Sequence, residues 1–241
     1  VLERGSDVDM RVQVVERFSA GGAFDPACNV QFGAGGAGTF SDGKLVTRIN
    51  DRLCRYVLRR LHEFGAPEEI LVAAKPHIGT DRLRAVVAAL RDEIIRLGGE
   101  IVFDCRADRF LSGPDGAVRA VVCERTSPGA DTAETLTFDC GALVLATGHS
   151  ARDVYRYLAG ENFTLSTKPF SVGVRIEHLR ADVDAALYGA HAGDPRLGAA
   201  EYAYSKRWDD GSAVYTFCMC PGGEVIAAAS EPGGVVVNGM S

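Results

Sequence analysis

Residues 29–44, NVQFGAGGAGTFSDGK, constrain this chain more than any other stretch. Five glycines fall between Gly33 and Gly43. A backbone with so few Cβ atoms takes positive φ freely and comes close to a large planar or anionic ligand. The spacing Gly33-x-Gly35-x-x-Gly38 is that of a dinucleotide fingerprint. That fingerprint opens a helix on its last glycine and is followed by an acidic residue about 20 positions later. Here Thr39-Phe40-Ser41-Asp42-Gly43 follows, a turn-rich run with no apolar helical stripe. The fingerprint reading fails, and two readings stay open: a loop that hugs a ligand, or a surface loop.

The rest of the chain removes several classes of function. With 241 residues, 46% of them hydrophobic, it can bury one large core or two modest ones. Its net charge of −6, with Lys and Arg scattered along the chain, argues against a nucleic-acid surface. No apolar run reaches the roughly 18 residues of a membrane span, and no signal segment opens the chain. Seven cysteines without regular spacing point to reduced thiols and a cytoplasmic setting. Val1-Leu2-Glu3-Arg4-Gly5 reads as a strand end running into a loop. Residues 235–241 stop just after a strand-like run. Neither looks like a natural terminus, so a longer protein is expected around this segment.

Periodicity predicts a helix from Asp51 to Phe64 and a second one after Thr80. The second carries Leu83, Val86, Val87, Leu90, Ile94 and Leu97 on one face and closes at Gly98-Gly99. Thr80 reads as its N-cap. Strands are expected at residues 101–105, at 110–111 and 118–124 around the turn Gly113-Pro114-Asp115-Gly116, and at 135–138. A loop is expected from Ser127 to Glu134. Ala142-Leu143-Val144-Leu145-Ala146 is an apolar run of buried parallel-strand type. This rhythm predicts an α/β doubly wound, Rossmann-like domain with an inserted β-meander over residues 1–150. From Ala151 the texture changes: a helix to Leu158, extended runs at 170–178, 200–204, 214–219 and 225–229, and a short helix at 181–187. Residues 151–241 are therefore expected to form a sheet-based second domain that caps the first or holds substrate.

The order of these features resembles the FAD-binding flavoproteins of the glutathione-reductase-like superfamily. These have a strand ending Leu2-Glu3-Arg4, a Gly-rich loop some thirty residues on, helix, strand and meander, then a strand ending Ala146-Thr147-Gly148. More narrowly, NVQFGAGGAGTFSDGKL, KPHIGTDRL, ATGHSARD, KPFSVGVRIEH, FCMCPGG and ASEPGGVVVNGMS look like a bacterial family described as FAD-dependent dehydrogenases. The resemblance covers essentially the whole chain. It implies a GxGxxG turn and first strand upstream of Val1, and a further segment downstream of Ser241.

The resemblance also implies residue roles. Glu3, followed by Arg4, sits where a strand-end carboxylate accepts the ribose hydroxyls of the adenosine half; the plainer reading is a solvated loop acid. Gly35, Gly36, Gly38 and Thr39 resemble the segment beside the pyrophosphate and flavin ring, with Ser41 and Lys44 at the ring edge; Lys44 also reads as a surface lysine. A cation there would stabilise the anionic reduced flavin. Ala107 matches the strand position whose backbone contacts adenine. Ala146, Thr147 and Gly148 bring the chain close to the cofactor. His149 is an acid, base or ring hydrogen-bond donor, or a cap for the helix from Ala151.

Arg175 and Glu177 share a strand face, so Arg175 either grips a substrate carboxylate or pairs internally with Glu177. His77 reads as structural. Cys218 and Cys220, two apart on a strand, lie near the far limit for a disulfide and lack the second pair that zinc needs. They read as small buried residues, and no metal site is expected. The functional expectation is an FAD-dependent oxidoreductase passing hydride through the flavin. NAD(P)H is a donor, an unidentified small molecule is the substrate, and neither nucleic acid nor membrane is a partner. The alternative is a non-catalytic flavin- or nucleotide-binding protein that uses the cofactor structurally or as a redox sensor.

Overall fold

The computed structural model describes the chain apart from residues 42, 46, 48, 74, 75, 127–131, 162, 218 and 241. Five α-helices and seven strands are present among the described residues. Helix α1 (Val8–Ser19) begins at Asp7, whose carboxylate accepts the Val8 N–H. Its four β-branched valines are weak helix formers, which is why periodicity alone does not announce it. Packing overrides propensity: Val12 and Val15 lie against Val30, Phe40 and Ala228.

Helix α2 (Arg52–Glu63) starts at Asp51, which accepts the Leu53 N–H through its side chain. Helix α3 (Thr80–Arg96) runs as its apolar stripe predicts, but its cap differs. Gly79, at φ +84°, is the N-cap, and the Thr80 hydroxyl donates instead to the Ser41 carbonyl at 2.8 Å. Thr80 thus ties the helix start to the glycine loop. Between α2 and α3, Ala66, Ile70, Ile78 and Val86 form a buried cluster joined by Leu58, Leu61 and Leu83.

Strands β1 (Cys105–Ser112), β2 (Val118–Arg125) and β3 (Glu134–Asp139) form an antiparallel sheet in that order, the expected meander. The β1–β2 register shifts between Ala107 and Arg109, which leaves Asp108 without a counterpart in the ladder. The loop expected at 127–134 falls mostly outside the described residues. The chain start meets this sheet through a parallel bridge between Leu2 and Val102. Cys105 on β1 and Val121 and Cys123 on β2 form a buried cluster with Val102.

Helices α4 (Arg152–Gly160) and α5 (Arg180–Tyr188) follow, then two short hairpins. Strands β4 (Ser205–Arg207) and β5 (Ala213–Tyr215) form one; β6 (Glu224–Ala227) and β7 (Val237–Met240) form the other. The runs expected as strands at 142–146 and 170–178 carry no ladder. Val144 is 87% exposed and Val174 is 88% exposed. An apolar, β-branched run becomes a strand only when a neighbour accepts its N–H and C=O groups. No such neighbour lies among the described residues. No described helix is long and apolar enough to cross a membrane.

Candidate functional site

Residues 3–6 are held between two other segments by backbone hydrogen bonds. On one side Glu3 N–H donates to the Val102 carbonyl, Cys105 N–H to Glu3, and Asp104 N–H to Gly5, all within 3.1 Å. On the other side Ala34 N–H donates to the Ser6 carbonyl at 3.0 Å. The two segments meet at Glu3: its Oε1 accepts the N–H groups of Gly5 and Gly33, each at 2.9 Å. The second carboxylate oxygen has no protein donor among the described residues. Gly5 permits this meeting, since a Cβ there would stand 2.7 Å from the Gly33 backbone.

Sequence reasoning missed the residue that holds the glycine loop. Arg11, on α1, is fully buried. Its guanidinium donates to the carbonyls of Asn29 (3.0 Å), Val30 (3.1 Å), Gly33 (3.2 Å) and Ala34 (2.6 Å). It also lies over the Phe40 ring, 4.9 Å from the centroid. A Cβ on Gly33 would sit 2.3 Å from the Arg11 Cδ, so glycine there makes room for the arginine. Burial pushes the guanidinium down to about 10, against the raising influence of Cys28 and Glu3, and it stays charged at neutral pH. The signal was present: Arg11 interrupts the apolar stripe Val8, Val12, Val15 and Phe18. A charge in such a stripe must be paired internally.

With its carbonyls turned toward Arg11, the loop continues into a tight 3₁₀ turn, Gly36–Phe40. Gly35 and Gly36 stand at φ +78° and +63°. A Cβ on Gly35 would collide with the Thr39 hydroxyl at 2.2 Å and Val87 at 2.8 Å. Nothing lies within 4 Å of the positions facing Gly36 and Gly38. Thr39 donates to the Ala34 carbonyl, and Ser41 to that of Gly38. These side chains shape the loop, and the open face belongs to Gly36 and Gly38.

Arg4 points to the β1 side. Its Nη2 contacts both carboxylate oxygens of Asp153 at 2.9 Å, and its guanidinium lies 4.3 Å from the Phe32 ring centroid. Burial alone would raise the Asp153 carboxyl. The Arg4 hydrogen bond and charge, the Val154 N–H and Arg106 outweigh it and hold the group below the usual carboxylate range. Beside this pair opens a cleft of about 170 Å³, bordered by Arg106, Ala107, Asp108, Asp153 and Tyr157. Ala107 and the unpaired Asp108 of the bulge form its strand wall, a place where bulges re-aim backbone groups.

Lys44 and Arg175 come together elsewhere. Lys44 bridges to His77 in an antiparallel pairing, and its Nζ reaches the Met219 carbonyl at 3.4 Å and the Cys220 sulfur at 3.6 Å. Arg175 approaches the same sulfur across Gly239. No Arg175–Glu177 ion pair is present among the described residues; both side chains are exposed. Cys220 is half-buried beside a cation, unlike the apolar burial expected for it; Cys218 lies outside the described residues.

Ala146, Thr147, Gly148 and His149 lie in the stretch without a ladder. Gly148 takes φ +72°, and its carbonyl accepts from Tyr155 at 3.2 Å. His149 is exposed and does not cap α4, whose N-cap is Ala151, with no side-chain cap. Gln31 links these parts: it donates to the Ala228 carbonyl and meets Ser150, which follows His149. Among the described residues no cluster of His, Cys, Asp and Glu could hold a metal ion.

Comparison with known proteins bears on this arrangement in two ways. A protein of Clostridium beijerinckii, described as uncharacterized, is 46% identical over 242 residues, an alignment that takes in the whole of this chain. The chain spans 43% of that relative's length. Residues 169–241, which carry Arg175, Cys220 and Gly239, match the family model described as "FAD-dependent protein, C-terminal domain-like".

Proposed function

We propose that this chain is part of an FAD-dependent oxidoreductase, a dehydrogenase acting on a small molecule. In this reading residues 1–150 belong to a doubly wound FAD-binding domain and residues 151–241 to a substrate-side domain. The observation that carries it is the divided carboxylate of Glu3. One oxygen is saturated by two backbone N–H groups, which locks the side chain; the other is left for a hydroxyl donor. A locked carboxylate with one open oxygen fits a ribose diol and repels a phosphate. The parallel bridge of Leu2 to Val102, with three α-helices between, accords with a βαβ-type crossover.

The residues fit the adenosine half of FAD. The cleft beside Ala107 suits a planar heterocycle, with backbone groups of Ala107 and Asp108 at its wall. Asp153, held by Arg4, closes one side. The open faces of Gly36 and Gly38 let a ligand come close to the backbone, and Arg11 sets the loop that presents them. Bound FAD supplies a two-electron carrier that accepts and returns hydride. Lys44 and Arg175 converge on one place and hold an anionic group of the substrate. His149 is the acid–base or ring hydrogen-bond candidate in this reading.

The test uses the full-length protein. The apoprotein is titrated with FAD, then mixed anaerobically with NADH or NADPH. Tight binding followed by bleaching of the flavin absorbance is the expected result. Failure to bind FAD overturns the assignment. Binding without reduction by either nucleotide, and without turnover of any acceptor, leaves the cofactor a structural or sensing role.

A further inference from the structure

Two cationic side chains from distant parts of the chain meet at Cys220, and their chemistry goes beyond flavin binding. The Lys44 Nζ stands 3.6 Å from the Cys220 sulfur. At Gly239 on β7, the point where a Cβ would stand is 2.7 Å from the Arg175 Nη1 and 3.2 Å from that same sulfur. Both groups reach one point, so the guanidinium and the sulfur lie within about 6 Å of each other, the range in which an opposite charge favours an ionised group. Glycine at 239 is what lets both in, since a Cβ at 2.7 Å from the guanidinium would force it aside.

The backbone also fixes the sulfur. Gly223 N–H donates to the Cys220 carbonyl at 3.0 Å, closing a turn through Pro221 and Gly222, and Gly222 takes φ +75°. His77 stands across the bridge from Lys44, and the exposed Glu224 of β6 pairs with residue 240, next to Gly239. Elsewhere, burial pushes the thiols of Cys28 and Cys105 up, and Cys123 to about 12.

We propose that Cys220, held between Lys44 and Arg175, is a nucleophilic thiolate and a modification site for hydroperoxides. Thiolates are the reactive form of cysteine, and neighbouring cations favour them. In the step proposed, the sulfur attacks the terminal oxygen of the hydroperoxide. An S–O bond forms, the O–O bond breaks, and the alkoxide leaves with the electron pair and takes a proton from water. Sulfur is oxidised by two electrons to the sulfenic acid, and the hydroperoxide is reduced to the alcohol. The two cations stabilise the attacking thiolate and the departing alkoxide. Nothing in the step requires flavin, so it stands or falls apart from the oxidoreductase reading.

The experiment is competitive alkylation of the full-length protein with limiting iodoacetamide from pH 5.5 to 9, in a Cys218→Ser background so that the reporter peptide carries one thiol. Mass spectrometry reads each cysteine, with the comparably half-buried Cys54 and Cys140 as internal references. Cys220 is expected to react at pH 6.5 at least about tenfold faster than either reference. Its midpoint should lie a unit or more below the roughly 8.5 of a free thiol. Lys44→Gln and Arg175→Gln should each raise that midpoint, and Lys44→Arg should restore it. With one equivalent of tert-butyl hydroperoxide, dimedone should label Cys220 ahead of the other cysteines. Reaction of Cys220 at the rate of Cys54 and Cys140 overturns the proposal. So does a midpoint that neither glutamine variant moves, or a dimedone label that falls elsewhere.

Discussion

Removing the charge of Arg11 tests how the glycine loop is built. Arg11→Met keeps the length of the side chain against Phe40 and deletes four hydrogen bonds to the carbonyls of Asn29, Val30, Gly33 and Ala34. Hydrogen bonds from a charged donor contribute about 1.5–3 kcal/mol each, which taken alone would exceed 6 kcal/mol. Against this stands the desolvation of a fully buried guanidinium, several kcal/mol in its own right. The variant removes that cost but leaves carbonyls facing an apolar thioether. The net expectation is a loss of about 3–5 kcal/mol, the range seen when one partner of a buried charged network is removed.

Urea unfolding of the full-length protein measures the loss, with wild type and Arg11→Lys alongside. Lysine has three donors on one centre and no planar fork, so it should recover only part of the difference. A second readout separates loop geometry from bulk stability. In a buffer where both proteins are folded, the FAD dissociation constant of Arg11→Met should rise, because peptide planes freed from Arg11 no longer present Gly36 and Gly38 in one orientation. Unfolding within 1 kcal/mol of wild type, or unchanged FAD affinity despite a large stability loss, would refute the claim that Arg11 sets the loop.

Glu3→Ala in the full-length protein should weaken FAD by about 1.5–3 kcal/mol, roughly 10- to 150-fold, as read by titration of the apoprotein; an unchanged constant makes Glu3 a loop acid. Gly35→Ala should cost about 2–3 kcal/mol in urea, because it adds a clash with Thr39 and Val87 to the strain of φ +78°. Gly36→Ala meets nothing in the protein and should cost only about 1 kcal/mol in urea while weakening FAD more than that, if its open face meets the cofactor. Asp153, held below its ordinary range by Arg4, contributes stability that is complete above the unfolded carboxylate value and is lost as pH falls through the lower folded one. The stability profile of Asp153→Asn should accordingly be flatter than wild type below about pH 4, and equal slopes would count against the pairing.

Sequence alone determined what depends on short-range chemistry. The stripe from Leu83 to Leu97, the carboxylate of Asp51 and the turn at residues 113–116 each specify a local conformation, and α3, α2 and the β1–β2 hairpin follow from them. The run of glycines likewise marked a loop of unusual backbone, which Gly35 and Gly36 at positive φ show. Glu3 and Ala107 were legible as site candidates through resemblance to a family, and their roles remain proposals.

What sequence left undetermined is every feature whose partner is far along the chain. Arg11 and Gly33 are 22 residues apart and Lys44 and Cys220 are 176 apart, and no periodicity encodes such a meeting. Helix α1 was hidden because valine favours a strand locally, and only burial against Val30 and Phe40 tips it to helix. Residues 142–146 and 170–178 show the converse. The unbroken apolar run of the first and the alternation of the second favour a strand, yet a strand is a relation between two segments. A local pattern supplies one side of the ladder, and tertiary structure decides whether the other side is there.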